Sequence, residues 1–181
     1  MQNYSQGGEQ AVILDYAPDF GIFLDIGMND GITLSNTRAL YEKGWRGVGI
    51  EPDREVFNRL KDTYPIKSGV TLFNIALGDK NEVVDFWSSG EHLGVGDTGL
   101  LSTAKQSELK RWKKESFTKE EVHMWDWDCF YNVSPHKKFD FISIDCEGLD
   151  TVILRQIDLD KTETNLVCIE YNADVNTRRE I

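Results

Sequence analysis

The chain predicts an α/β fold, an open and mostly parallel sheet with helices on both faces. Strand-like and helix-like segments alternate along it, the pattern that stacks such layers. The stretch Ile22 to Ile26 is a nearly continuous apolar run, as expected of a strand covered on both sides. At 181 residues the chain can bury one sizeable core, and nothing in that length asks for a second. One domain over 1–181 is therefore expected.

Glu9 to Ala17 reads as a leading helix, broken at Pro18. After the strand at Ile22 to Ile26, Leu34 to Lys43 places Leu34, Leu40 and Tyr41 at helical spacing and stops at Gly44. Gly47 to Ile50 is the second strand, and Glu51-Pro52-Asp53 ends it and starts a helix with Val56, Phe57, Leu60 and Tyr64 on one face. Pro65 closes that helix. Val70 to Ala76 is the third strand, Gly78 to Asn81 a turn, and Val83 to Trp87 an extra or edge strand. Ser88 to Ser102 carries Gly90, Gly94, Gly96 and Gly99, too many for a stiff element, and reads as a mobile loop. A short basic helix over Lys105 to Glu115 and a strand at Val122 to Trp125 follow. Phe139 to Asp145 and Leu166 to Tyr171 are the fourth and fifth strands, joined by a helix with Leu149, Val152, Ile153 and Ile157 inward. Residues 88–121 thus form a glycine-rich and basic insertion.

Composition excludes several classes. No apolar run approaches the roughly 18 residues of a membrane span, and the polar N-terminus shows no secretory signal, so a soluble, cytoplasmic protein is expected. Cys129, Cys146 and Cys168 are odd in number and lack zinc-type spacing, which predicts free thiols. A net charge of -11 repels a phosphate backbone, so no extended nucleic-acid surface is expected.

The chemistry is concentrated where strands end. Asp25, Glu51 and Asp145 each close a strand, and in an open parallel sheet those ends form the ligand crevice. In Phe23 to Leu34, "FLDIGMNDGITL", Gly27 allows close backbone approach and Gly31 a tight entry into a helix whose free N–H groups favour an anion. Asn29 stands where a dinucleotide loop has its middle glycine, and no Gly-Lys-Ser/Thr loop exists. A nucleoside without phosphates fits better than NAD or ATP. Glu51 suits a ribose diol, and Asp25 supplies negative potential for a cationic centre. S-adenosylmethionine meets each of these demands.

Several stretches carry a family resemblance: Tyr4 to Tyr16, Phe23 to Leu60, "NIALGD" (Asn74 to Asp79), "FDFISIDCEGLDTVILRQIDL" (Phe139 to Leu159) and "VCIEYN" (Val167 to Asn172). In these the chain resembles the FkbM-type S-adenosylmethionine-dependent methyltransferases. The resemblance implies a class I methyltransferase fold, Rossmann-like, and O-methylation of a hydroxyl on a sugar or other small molecule. It implies that Asp25, Gly27 and Gly31, in the loop that holds Asn29, surround the methionine moiety with Thr33 near its carboxylate. Glu51 would hold the ribose, while Asn74, Ala76 and Leu77 would edge the adenine. Asp145 and Glu147 would lie beside the transferred methyl, and Ser5 and Gln6 would cover the cofactor. Met28 replaces a usual alanine and would narrow the methionine pocket. The class continues past the counterpart of Tyr171 into further strands, and with the chain ending at Ile181 those strands are expected to be missing.

An alcohol acceptor must lose a proton, and Asp145 and Glu147, alternating along an extended segment, are the candidate bases. The plain alternative is that Glu147 only caps the next helix. His92 could be delivered by the loop, while His123 and His136 read as surface. The basic cluster Lys105, Lys110, Arg111, Lys113 and Lys114 around Trp112 could dock a phosphorylated or acidic acceptor but reads first as a solvated face, and Trp125 and Trp127 could stack on a sugar or pack in the core. The spacing gives Asp145 no independent ligand set, so no metal is expected. Two further functions stay open on the residues: a non-catalytic cofactor-binding or interaction domain keeping the fold, and an NAD-linked oxidoreductase.

Overall fold

A computed structural model describes residues 2–94 and 96–171. Asn172, the end of the last resembling segment, and the expectation of missing strands lie outside the described residues. The chain begins with α1 (Glu9–Tyr16), β1 (Ile22–Ile26), α2 (Arg38–Glu42), β2 (Arg46–Ile50), α3 (Arg54–Thr63) and β3 (Val70–Phe73). It continues with β4 (Ala76–Leu77), β5 (Glu82–Ser89), a short 3-10 helix at Gln106–Lys110, β6 (Phe117–Trp125) and α4 (Trp127–Val133). β7 (Phe141–Ile144), α5 (Asp150–Leu154) and β8 (Leu166–Ile169) complete it.

Five strands form one parallel sheet in the order β3-β2-β1-β7-β8. The chain winds outward from β1 to β3 and then restarts on the other side of β1 at β7, so strand order reverses between β1 and β7. Side-chain alternation splits the core. Leu24, Ile26, Ile142 and Ile144 pack under α4 and α5 with Phe130 and Trp127, while Phe23 and Phe141 face Ile13, Leu40, Leu60 and Tyr64 on the side of α1 to α3. The sheet is therefore covered on both faces, as the apolar run in β1 requires. Gly47 and Gly49 of β2 leave room on the second face: a Cβ at 47 would meet the Phe23 ring at 2.4 Å, and one at 49 would meet the Met28 sulfur at 2.3 Å.

Local chemistry explains where the elements depart from expectation. The second helix begins at Arg38 rather than Leu34 because the Asp30 carboxylate accepts from the N–H of Ile32 at 2.8 Å and of Thr33 at 2.7 Å, and Leu34 is left-handed at φ 53. That Asx-type turn competes with helix. The expected third strand divides: Val70–Phe73 stays in the main sheet, whereas Ala76–Leu77 pairs with β6. At the break, Asn74 donates to the carbonyls of Glu51 (2.8 Å) and Pro52 (2.9 Å). β5 is the extra strand, antiparallel to β6 in a separate sheet ordered β4-β6-β5. The basic helix shrinks to Gln106–Lys110, and α4, absent from the sequence reading, starts where Asp126 accepts from the Cys129 N–H at 2.8 Å. The glycine-rich stretch, expected to be mobile, is tied down. Arg59 donates to the carbonyls of Gly96 (2.6 Å) and Thr98 (2.8 Å), and the Asp97 carboxylate gathers the N–H groups of His92, Leu93 and Gly94.

Gly27 holds the reversal point together. Its φ is 86, and a Cβ there would stand 1.8 Å from the Asp145 carbonyl oxygen. Gly27→Ala combines left-handed strain with a backbone clash and should cost about 3 kcal/mol. Gly94→Ala, with open space around it, should be near neutral. Urea unfolding of the two variants checks this, and equal midpoints would disprove it.

Candidate active site

Above the reversal point lies a crevice of about 450 Å³, within the size range of small-molecule sites. Gln6, Asp25, Gly27, Asn29, Thr33 and Glu51 line it, as do Ala76, Leu77, Asp145 and Glu147. Three expected residues, Gly31, Asn74 and Ser5, are not among its lining. Gly31 packs against α3, where a Cβ would meet the Tyr64 ring at 2.3 Å, and Asn74 is spent on the two carbonyls behind Glu51. Ser5 is buried, accepting from the Gln10 N–H at 3.0 Å at the start of α1. Met28 lines the crevice while its thioether packs toward Gly49 and the core.

Parallel pairing places the acids. Asp25 lies opposite Gly49 and Ser143, flanked by the strands that end in Glu51 and Asp145. Asp25 is 4% exposed and accepts from the Thr37 hydroxyl at 2.5 Å. Burial pushes its carboxyl up to about 6, and the Thr37 bond offsets part of the rise. Glu51 is 5% exposed, with one oxygen accepting from the Asn29 N–H at 2.9 Å and the other from the Asp53 N–H at 2.8 Å. Desolvation still dominates, and its carboxyl rises to about 8. The Thr33 hydroxyl donates to Asp30 at 2.8 Å.

The stretch Asp145-Cys146-Glu147-Gly148 turns sharply. Glu147 is left-handed at φ 46, and its carbonyl accepts from the Thr103 hydroxyl at 2.8 Å. The residue that organises the start of α5 is Asp150, which accepts from the N–H of Cys146 (2.8 Å) and of Gly148 (3.0 Å). Glu147 is thus released from capping. It is 9% exposed, its Oε2 has no hydrogen-bond partner, and burial, then Glu170, raise its carboxyl to about 8. Asp145 is open to the crevice, yet crowding by protein and then by Glu170 and Glu147 raises its carboxyl well above the usual range.

Residues of the insertion close the mouth. Leu101 is buried against the crevice, His92 stands edge-on to Trp112 at 5.4 Å with its Nδ1 3.4 Å from Glu115, and Arg111 lies over the Trp112 ring. Sequence reasoning favoured a solvated face over an acceptor dock for Arg111 and Trp112, and it missed Asp150 and Glu170. Glu170 carried a signal, since it follows the last strand as Asp145 follows the fourth. Trp127 packs in the core with Trp125 against it, and His123 is exposed. All three cysteines are free thiols. Among the described residues no helix is long and apolar enough to cross a membrane.

The profile of the methyltransferase FkbM domain matches residues 25–179. The chain belongs to the FkbM methyltransferase family. No curated protein matches it. The match to the FkbM domain opens at Asp25 and takes in Glu51, Asp145 and Glu147, while Gln6 precedes it. In this FkbM methyltransferase the mostly parallel α/β sheet is that of a Rossmann-like fold.

The raised carboxyls tie the FkbM domain's stability to pH. Asp25 and Glu51 bind protons more tightly folded than unfolded, so their contribution is complete below about pH 4 and is lost as pH rises through about 6 and about 8. Glu51→Gln removes the upper titration, though one of its two backbone donors loses an acceptor. Scanning calorimetry should show a smaller fall in Tm between about pH 6 and 9 for this variant than for the native chain. Parallel falls would show that Glu51 is ionised when folded.

Proposed function

We propose that this methyltransferase uses S-adenosylmethionine to methylate a hydroxyl oxygen on a sugar or other small-molecule acceptor. The observation that carries the reading is the convergence of Asp25, Glu51, Asp145 and Glu147 on one crevice at the strand-order reversal. The residues present suit that donor. Each Glu51 oxygen holds one backbone donor and keeps lone-pair capacity for a ribose hydroxyl. Ile50, Ala76 and Leu77 supply apolar wall for a purine, and Asp25 lays negative potential nearby for a cationic group.

When bound, the donor supplies a methyl group on a sulfonium, and an in-line attack breaks the carbon–sulfur bond as the carbon–oxygen bond forms, releasing S-adenosylhomocysteine. The protein's task is alignment and removal of one proton. Glu147 suits that removal, because an unpaired carboxyl titrating at about 8 is a strong carboxylate base once ionised, on the alkaline side of neutral. Its backbone is pinned by Thr103, so the carboxyl is aimed without a capping duty. Asp145, open to the crevice, borders the same acceptor space.

Titration calorimetry with S-adenosylhomocysteine should give saturable heat, and at about pH 9, where Glu51 is ionised, Glu51→Gln should weaken binding by about 1.5–3 kcal/mol, the cost of a charged hydrogen-bond partner. No heat from the native chain would sink the donor assignment. Labelled methyl transfer onto a panel of sugars and glycosides, run with Glu147→Gln, should fall by about 10²-fold or more while S-adenosylhomocysteine affinity holds. Equal loss of both would make Glu147 a binding residue instead of a base.

A further inference from the structure

We infer that the acceptor is a phenol, a hydroxyl on an aromatic body seated between the Glu147 turn and an apolar wall built by the insertion. The inference rests on the methyl-transfer reading and narrows its acceptor to one chemical class. Among the described residues, the insertion adds Leu93, Leu100, Leu101, Ala104 and Trp112 to the crevice lining, and Leu149 joins them from the start of α5. Leu93 is 61% exposed. An exposed leucine that shares one crevice with further apolar side chains marks a surface kept for a ligand.

The wall is fixed, and it abuts Glu147. The hydroxyl of Thr103, next in sequence to Ala104, donates to the Glu147 carbonyl at 2.8 Å, and Lys105 donates to the Gly148 carbonyl at 3.0 Å. Leu101 is anchored by its own N–H on the Ser89 hydroxyl at 3.0 Å. Ala104 and Leu149 pack against the same buried cluster, which holds Phe86 and Met124. The Trp112 ring has the Arg111 guanidinium over it at 4.9 Å and His92 edge-on at 5.4 Å.

A sugar would find few partners on this side. Among the described residues, the polar side chains that the insertion adds to the lining are His92, Ser102 and Arg111, and each has a protein partner. The His92 Nδ1 is 3.4 Å from Glu115, the Ser102 hydroxyl accepts from the Ser89 N–H at 2.9 Å, and Arg111 is 3.8 Å from Glu108. A polyol stripped of water against leucines leaves hydroxyls unpaired. A flat aromatic body loses no hydrogen bonds there and gains contact with Trp112.

The proton separates a phenol from an apolar alcohol. Burial lifts the Glu147 carboxyl to about 8, while Arg111 favours its ionised form. A phenol titrates near about 10, whereas an unactivated alcohol resembles water at about 16. A carboxylate of this strength takes a phenol's proton at small cost and an alcohol's at a large one. As that proton passes to Glu147, the aryl oxygen bonds the methyl carbon and the carbon–sulfur bond breaks. The products are an aryl methyl ether, S-adenosylhomocysteine and a proton that Glu147 returns to solvent.

Calorimetry of β-naphthol, into the chain alone and with S-adenosylhomocysteine in excess, should show a saturable site with a dissociation constant below roughly 1 mM. Trp112→Ala should weaken it about tenfold and Leu93→Ser about threefold, while S-adenosylhomocysteine affinity holds. Leu93 is exposed, so its variant decides if Trp112→Ala does not fold. With labelled S-adenosylmethionine, kcat/KM for β-naphthol should exceed that for decahydro-β-naphthol and for methyl glucoside at least about 10²-fold. Absence of naphthol binding, binding indifferent to both variants, or comparable transfer to either alcohol overturns the phenol assignment. So does naphthol bound beside S-adenosylhomocysteine yet never methylated. Transfer to the glucoside alone would fail this inference and keep the methyl-transfer reading. Naphthol binding without S-adenosylhomocysteine binding would fail the donor reading and leave the phenol seat standing.

Discussion

The parallel register of β1 with β2 and β7 decides where every acid of the site ends up. Because Asp25 sits between Gly49 and Ser143, one residue beyond each neighbouring strand brings Glu51 and Asp145 to the same rim. A slip of one residue would turn Asp25 into the opposite core and Leu24 out of it. The Gly27 crossing under the Asp145 carbonyl locks that register at the point where the strand order reverses, which couples stability of the sheet to the shape of the crevice.

Crowding carboxylates into a desolvated rim has an electrostatic consequence. Asp25, Glu51, Asp145, Glu147 and Asp150 all titrate above their ordinary ranges, with burial the first cause in each. Such a rim is poised to accept positive charge, whether a proton, a sulfonium or a metal ion. The backbone donors that approach it, at Asn29, Asp53, Cys146 and Gly148, fix the orientation of Glu51 and Asp150 without neutralising them. Geometry and negative potential are therefore supplied by different groups.

Sequence reasoning recovered what depends on local pattern. Continuous apolar runs gave β1, β2 and β7, and strand-terminal acids gave Asp25, Glu51 and Asp145. It erred where side chains redirect the backbone. Leu34 has the spacing of a helical residue, but Asp30 withdraws the N–H groups that a first turn would offer. The run Val70 to Ala76 is uniformly strand-forming, yet Asn74 anchors to the end of β2 and hands Ala76 and Leu77 to another sheet. Asp150 and Glu170 were invisible as partners because five and twenty-five positions separate them from Asp145; the turn into α5 brings the first and the β7 to β8 pairing the second. The glycines show the same limit: Gly31, read as a ligand contact, makes room for the Tyr64 ring, while Gly27 lines the crevice and also makes room for the Asp145 carbonyl.

The second sheet gives the crevice a wall independent of the parallel sheet. β4 departs from the main sheet just after Asn74, so Ala76 and Leu77 remain at the crevice while their strand pairs with β6. β6 in turn carries β5, and between those two strands runs the glycine-rich and basic insertion. Leu101, His92 and Trp112 consequently reach the mouth from a unit anchored beside the Glu51 end, through Ser88 on Asp53 and Arg59 on the loop carbonyls. The acids at the rim are set by the register of the parallel sheet, which tolerates little change there. The mouth is formed instead by a surface hung on a separate antiparallel pair, where insertions alter it without disturbing the register beneath.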